Sequence, residues 1–495
     1  MSACSILRLP DEVLEEVIHG AAAWSDDAEN YGFYELYAGR AALARVCRRF
    51  HVLAQPILYS CLALGPVHPR VEGERGDAAA IQLGNSIARL LRTVQENPRL
   101  ARLCVELVID VEACFEHLNV LCTLIASLSR TRSLRIRHGF KEVEFTATWA
   151  CLSAALANMR DLEHLAFTAG RRPMNMQHVV AMLRTTLTVE RYPGIKELEL
   201  VGVNRSVLPV RIELWGQKPS QRAPFTKLTL SDYHEESQTI RQLLSAPARL
   251  EHFTYRGIRR FGYHPLDLRT LWSYLVPHAP TLETLRVGSL SHQVPGVAVL
   301  TGSSMNMLAG IDFAPFERLR SLSLSYWATG VDDGGAAAGA SSLLAPRLER
   351  FEWVFDSDDG RALYLDHFSR READFLRRLA RTAAERAVPL RRIAVVYSPA
   401  AVFPLKVNLL SDMRLDAPPS TADELAYPWD RLDGVAAEVR GLGVELTYNR
   451  PSVTRDQFEE AARAYREAVA PRGQAQAGGV GGRRIEDMSG FDARG

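Results

Sequence analysis

The sequence has no cysteine after Cys151, so its last 344 residues (495 minus 151) contain none. The seven cysteines before that point are an odd number and include no C-x-x-C pair. A secreted disulfide framework would not leave most of a chain unstapled, and zinc-ribbon or thioredoxin chemistry has no ligands to start from. No apolar run reaches the roughly 18 residues needed to span a bilayer. The opening MSACSILRLPDEVLEEVI carries acidic residues where a signal peptide needs an unbroken apolar stretch. Excess charge of either sign is also missing, with 59 basic against 58 acidic residues. That excludes a whole-protein basic field for nucleic acid. These absences predict an intracellular, reduced protein of cytoplasm or nucleus, without contact to membrane or nucleic acid.

Catalytic signatures are missing as well. There is no G-x-S-x-G, H-E-x-x-H, G-x-x-x-x-G-K-[ST] or strand-borne G-x-G-x-x-G. GGVGG (478–482) has no strand before it to make a phosphate cradle. DSDDG (356–360) fails as a calcium loop, because its glycine is fifth and His367 stands where a glutamate is required. His117, His164 and His252 have no partner at ligand spacing and read as surface or packing residues. Cofactor, metal site and catalytic residues are all expected to be none.

What is present begins at Leu9. In LPDEVLEEVI, Pro10 suits a first helical turn, and Asp11 and Glu12 offset the helix dipole. Val13, Leu14, Val17 and Ile18 form an apolar stripe at helical spacing. Residues 24 to 39 are mixed and aromatic, a loop or insertion. AALARVCRRFHVLAQ then predicts a second helix with Leu43, Val46, Cys47, Phe50, Leu53 and Ala54 on one stripe, stopped or kinked at Pro56. Arg45, Arg48 and Arg49 lie off that stripe, and Cys47 reads as a small buried hydrophobe. ILYSCLAL reads as a short helix running into a strand. Two such helices have little core of their own. A plain helical hairpin packed on the next domain is one reading.

The segment resembles an F-box. The matching residues are LPDEVLEEVI (9–18) and LARVCRRFHVLAQPILYSCLAL (43–64), the second carrying Val46, Cys47, Arg48 and Phe50. Its "LAxPxLY" close is common in F-box-like proteins of mushroom-forming fungi. Residues 19 to 40 are longer than a compact F-box needs. The resemblance implies docking to a Skp-family adaptor, and through it to an SCF-type cullin-RING ubiquitin ligase. The positions carried over are Leu9, Pro10, Leu14, Ile18, Leu43, Val46 and Phe50.

Beyond residue 98 a phrase recurs: apolar, two variable residues, apolar, one variable, apolar. Its instances are LARLCV (100), LEHLAF (162), IKELEL (195), FTKLTL (225), LEHFTY (250), LETLRV (282), LRSLSL (319), LERFEW (348) and LRRIAV (390), with SLRI (133) lacking the first position. The nine intervals from Leu103 to Ile393 average about 32 residues. Alternation over the last three positions predicts a strand. Stretches such as 112–128, 148–159, 176–187, 238–246 and 268–279 predict helices between strands. Prolines 98, 193, 224, 247, 280, 346 and 389 precede the phrases, ending a helix and launching a strand. Strands alternating with helices imply parallel pairing by crossovers. The alternatives are a solenoid and an ordinary one-sheet α/β domain.

The phrase is similar to leucine-rich repeats of irregular kind. The family's Asn or Cys, five positions beyond the middle Leu, is absent. The expected fold is therefore α/β: an F-box-like helical module (1–64), a connecting segment (65–97), a leucine-rich-repeat-like solenoid (98–450) with helices on its convex side, a C-terminal helix (451–470) and a disordered tail (471–495). DDGGAAAGASS (332–342) and 418–428 read as loops. On the implied concave face Arg135, Arg137, Arg256 and Arg286 face Glu106, Glu199 and Glu352. A mixed wall suits a protein partner. Arg135 and Arg137, beside Arg130, Arg132 and Lys141, suit an acidic or phosphorylated segment, unless they form only a solvated edge. The function implied is a non-catalytic substrate receptor that binds an unidentified protein. The alternative is a stand-alone leucine-rich-repeat scaffold that does not bind the ligase.

Overall fold

The computed structural model describes residues 9–23, 41–65, 76–138, 142–169, 174–175, 179, 183, 187–204, 222–233, 237–257, 266, 268–288, 311–329, 340–355, 364–399 and 425–469. The expected tail (471–495), DSDDG, GGVGG and most of the 24–39, 176–187, 332–342 and 418–428 segments lie outside them. No described helix is long and apolar enough to cross a membrane.

Twelve strands form one open, wholly parallel sheet whose order follows the chain without reversal. They are β1 (Cys61–Leu64), β2 (Glu106–Asp110), β3 (Ser133–His138), β4 (His164–Ala169), β5 (Glu197–Val201), β6 (Lys227–Tyr233), β7 (His252–Gly257), β8 (Thr284–Val287), β9 (Ser321–Ser325), β10 (Arg350–Phe355), β11 (Arg392–Tyr397) and β12 (Glu445–Tyr448). Parallel strands taken in chain order are joined by crossovers that pack on one face of the sheet, and among the described residues the other face carries half-buried or exposed side chains such as Arg135, Glu199, Arg286 and Glu352. This is a repeating, solenoid-like α/β architecture.

The sequence phrase becomes two buried ladders. Leu62, Leu107, Leu134, Leu165, Leu198, Leu228, Phe253, Leu285, Leu322, Phe351, Ile393 and Leu446 stand in register across all twelve strands. Two positions on, a second row runs from Leu64 through Phe167, Tyr255 and Trp353 to Tyr448. Most of these side chains are fully buried against the helices. A backbone pattern repeats with them. Glu163 and His164 both donate to the Arg132 carbonyl, Lys196 and Glu197 to Glu163, and Arg391 and Arg392 to Glu349. Between Arg132 and Arg392, each strand from β3 to β11 starts with this shared acceptor, so the units are the same element repeated.

The helices are α1 (Asp11–Ala23), α2 (Arg48–Ser60), α3 (Gly76–Glu96), α4 (Leu118–Ser127), α5 (Glu142–Asn158), α6 (Ser237–Ser245), α7 (Leu268–Leu275), α8 (Arg370–Glu385), α9 (Pro428–Arg440) and α10 (Arg455–Val469), with shorter turns between them. α8 starts on a capping box, in which the Ser369 hydroxyl accepts from Arg371 and the Glu372 carboxylate from the Ser369 amide.

Several expectations are corrected. LARLCV is not a strand. Pro98 starts a helical turn (Pro98–Ala101), and the ladder residue is Leu107, four positions after Leu103. The array therefore begins at Cys61, inside the segment assigned to the N-terminal module. The connecting segment 65–97 supplies the 21-residue helix α3 of the first unit. The second N-terminal helix breaks at Cys47, which is half-buried and extended (φ −163°, ψ 173°). Its thiol caps α2 by accepting from the Phe50 amide at 3.5 Å. Pro56 does not stop α2, which runs on to Ser60. The carbonyl that Pro56 leaves without a donor belongs to Val52, which faces water at 65% exposure.

Candidate functional site

Two surfaces follow from this architecture. The first is the N-terminal hairpin. Leu14, Ile18, Ala44, Phe50, Ala54 and Ile57 close a small core separate from that of the sheet, with Leu9, Leu43, Cys47 and Leu53 packed on it. The Arg49 guanidinium ties the two helices, donating to the Asp11 carboxylate and to the Leu9 carbonyl, both at 2.6 Å. That core consumes much of the proposed adaptor face. Leu14, Ile18 and Phe50 are sealed inside, while Leu9 and Leu43 are half-buried. Pro10 is exposed and Val46 is 59% exposed.

Three valines not among the carried-over residues join them at the surface: Val13 at 40%, Val17 at 42% and Val52 at 65% exposure. Val13 and Val17 lie one helical turn apart on α1. Periodicity alone places Val13, Leu14, Val17 and Ile18 on one stripe. It does not say that the stripe is wider than the partner helix can cover.

The second surface is the uncovered sheet face. Between the two buried ladders runs the row Ala63, Val108, Arg135, Ala166, Glu199, Thr229, Thr254, Arg286, Ser323, Glu352, Ala394 and Thr447. The predicted arginines of this face are engaged within it. Arg135 reaches Glu199 at 3.6 Å across the small Ala166, and Arg286 reaches Glu352 at 2.7 Å across Ser323. Arg137 lies 3.7 Å from Asp110. Arg130 bonds Asp161 at 3.0 Å. Arg256 is exposed and its charge acts on Glu352. Lys141 lies outside the described residues.

His164 has partners that sequence spacing did not disclose. Its Nδ1 is 2.9 Å from the Ser133 hydroxyl and its Nε2 is 3.5 Å from Glu199. Strand register makes them neighbours, because Ser133, His164, Glu197 and Lys227 occupy one row. Lys227 bonds Glu197 at 2.7 Å.

The contacts set the charge states. The His164 ring 3.5 Å away, with help from Arg135, holds Glu199 below the usual carboxylate range despite partial burial. Burial alone would raise Glu352, but hydrogen bonds from Arg286 and Ser323 outweigh it and the net shift is downward. For Asp110 burial wins over its cap to Ala113 and the charge of Arg137, and the carboxyl is pushed up. The face thus presents paired charges with small residues between them. An incoming phosphate would compete with carboxylates already in place. Among the described residues no group of three or more His, Cys, Asp or Glu side chains can hold a metal ion. No family model and no curated protein matches the chain.

Proposed function

We propose that the chain is a non-catalytic substrate receptor of an SCF-type cullin-RING ubiquitin ligase. Its N-terminal hairpin would dock a Skp-family adaptor, and its uncovered sheet face would receive a target protein. The observation that carries this reading is the hairpin itself. Its described residues close a core of their own, and Val13, Val17, Val46 and Val52 lie outside that core and exposed. Val13 and Val17, one turn apart on α1, are the exposed apolar pair from which a docking patch would be built. α2 leads directly into β1, so a partner held at the hairpin is fixed relative to the repeat array. The chain would act by raising effective concentration, bringing a substrate lysine to a ubiquitin-charged enzyme. Paired charges on the sheet face suit a protein surface of mixed charge, recognised through specificity more than through bulk attraction.

The test is co-purification with a Skp-family adaptor. The intact chain should retain it. Val13→Asp with Val17→Asp should lose it while keeping the far-ultraviolet spectrum of the intact chain. Loss of retention only in variants of buried Leu14 or Phe50, with the valine variants unaffected, would overturn the docking face. An intact chain that retains no adaptor returns the protein to the stand-alone scaffold reading.

A further inference from the structure

Where two charged side chains stand side by side in register on the sheet face, their signs are opposed: Asp110 with Arg137, Glu197 with Lys227 and Arg392 with Glu445. Arg350 and Arg392, neighbours on β10 and β11, break this rule, and among the described residues they are the one such pair of like sign. Both are exposed. Neighbouring strands lie about 4.8 Å apart, so like charges there repel at a cost to the fold. The carboxylates nearest in sequence do not relieve it. Glu349 lies 3.6 Å from Arg320, and Glu352 lies 2.7 Å from Arg286. The Arg392 Nε donates to the Thr447 hydroxyl at 3.3 Å, and among the described residues neither Arg350 nor Arg392 forms an ion pair. Arg347 and Arg391, exposed just before the same two strands, add charge of the same sign.

Four residues further along both strands the same face turns apolar. Val354 is half-buried and its register neighbour Val396 is 37% exposed. We propose that the sheet face at β10 and β11 receives an acidic segment of the target protein. An Asp or Glu side chain of that segment sits between the Arg350 and Arg392 guanidiniums, and an aliphatic side chain rests against Val354 and Val396. The proposal rests on the sheet face being the surface that receives the target.

Guanidinium forks match carboxylates in a bidentate manner, and an incoming carboxylate turns the repulsion between the two arginines into two attractions. The two anchor points lie about 13 Å apart, four residues at about 3.3 Å each. An extended segment therefore meets both with side chains four positions apart. A nucleic acid fits this surface less well. Phe351, Trp353 and Phe355 of β10 are buried on the opposite face, so these rings offer no stacking platform for bases. Glu352 also stands between the arginine and valine rows of β10, where a continuous polyanion would be repelled.

The experiment pans a phage-displayed library of random dodecapeptides against the full chain and against Arg350→Glu. Peptides retained by the intact chain alone should carry at least two Asp or Glu residues, with an aliphatic residue four positions from one of them. Fluorescence polarisation of the most enriched peptide should show affinity at least about tenfold weaker in Arg350→Glu and in the double variant Arg350→Gln, Arg392→Gln. Added salt should weaken it too. Arg350→Glu sets a carboxylate beside Arg392, so its thermal melt should be no lower than that of the intact chain and its adaptor retention unchanged. The proposal is overturned by a selection in which no peptide distinguishes the two chains, by a retained set without acidic enrichment, or by equal affinity for the double variant. A melting point lowered in both variants also overturns it, because the arginine pair is then structural, and so does a thymidine oligonucleotide that binds more tightly than the peptide. Peptide binding by a chain that retains no adaptor removes the ligase reading and leaves this docking site standing.

Discussion

Leu14 and Val17 stand three positions apart on α1, yet Leu14 is sealed and Val17 is 42% exposed. Their substitutions should separate stability from binding. Leu14→Ala removes a core member of a cluster with few others and should cost the hairpin about 2–4 kcal/mol, read by hydrogen exchange of the α1 and α2 amides. Val17→Ser should stay within about 0.5 kcal/mol in the same measurement. Gly84, on α3, makes a second prediction. A Cβ there would lie 2.0 Å from the His117 ring. Gly84→Ala should therefore destabilise by about 1 kcal/mol in urea melts. In a His117→Ala background the sign should reverse, because alanine is the better helix former. His278 supplies a third. Its Nε2 is 2.8 Å from the Leu244 carbonyl, and burial lowers its pKa in spite of that bond. The unfolded chain then binds the proton more readily. This contribution is complete above the ordinary histidine value of about 6.5 and is lost as pH falls below it. The drop in melting temperature between pH 7.5 and 5.5 should be smaller in His278→Gln. Such residue-level roles were least legible in the sequence. Ser133 and His164 are 31 positions apart and become hydrogen-bonded only because the sheet sets β3 beside β4 in register.

At the scale of elements, sequence reading was accurate where a periodic apolar pattern met a long enough window. Nine of the twelve ladder residues were the middle residues of the recurring phrase. The misreading of β2 has a physical cause. Its true phrase is CVELVI, with Cys104 in the first apolar position, and LARLCV overlaps it four residues earlier with better leucines. Thr131 hides the first position of the β3 phrase in the same way. Both residues are fully buried and bonded to each other, so a polar pair does the work of two leucines. The break before α2 was hidden because Val46 and Cys47 continue the stripe in sequence, although Val46 ends outside. Cys47 predicts how that break can be strengthened. A thiol is a weak acceptor at 3.5 Å, and serine is among the preferred caps. Cys47→Ser should stabilise α2 by about 0.5–1 kcal/mol, while Cys47→Ala should weaken it slightly. Exchange rates of the Arg48 to Val52 amides report both.

At the scale of the molecule, a sheet whose order follows the chain makes each unit depend on its neighbours, and its end units carry the cost of an exposed edge. At one end β1 is joined to the α1–α2 hairpin. At the other, β12 pairs with β11 and is followed by α10, whose Phe458, Ala462 and Tyr465 are buried. Asn449 extends the ladder with its side chain, accepting from the Tyr397 amide and donating to the Tyr397 carbonyl. Beneath it α9 places Trp429, Leu432, Val435 and Val439 in the common core, and its Glu438 takes a two-pronged bond from Arg377 on α8 at 2.8 Å. A chain ended after residue 424 would therefore lay bare the outer edge of β11 and the α8 side chains that α9 covers. It should aggregate or melt well below the intact protein, by at least about 4 °C for each 1 kcal/mol lost in a small cooperative unit and less where unfolding spreads along the array. Size-exclusion chromatography and a thermal melt monitored by tryptophan fluorescence test it. A monodisperse product with the intact melting point would show that the last unit is not a cap, and that stability is held within the inner repeats alone.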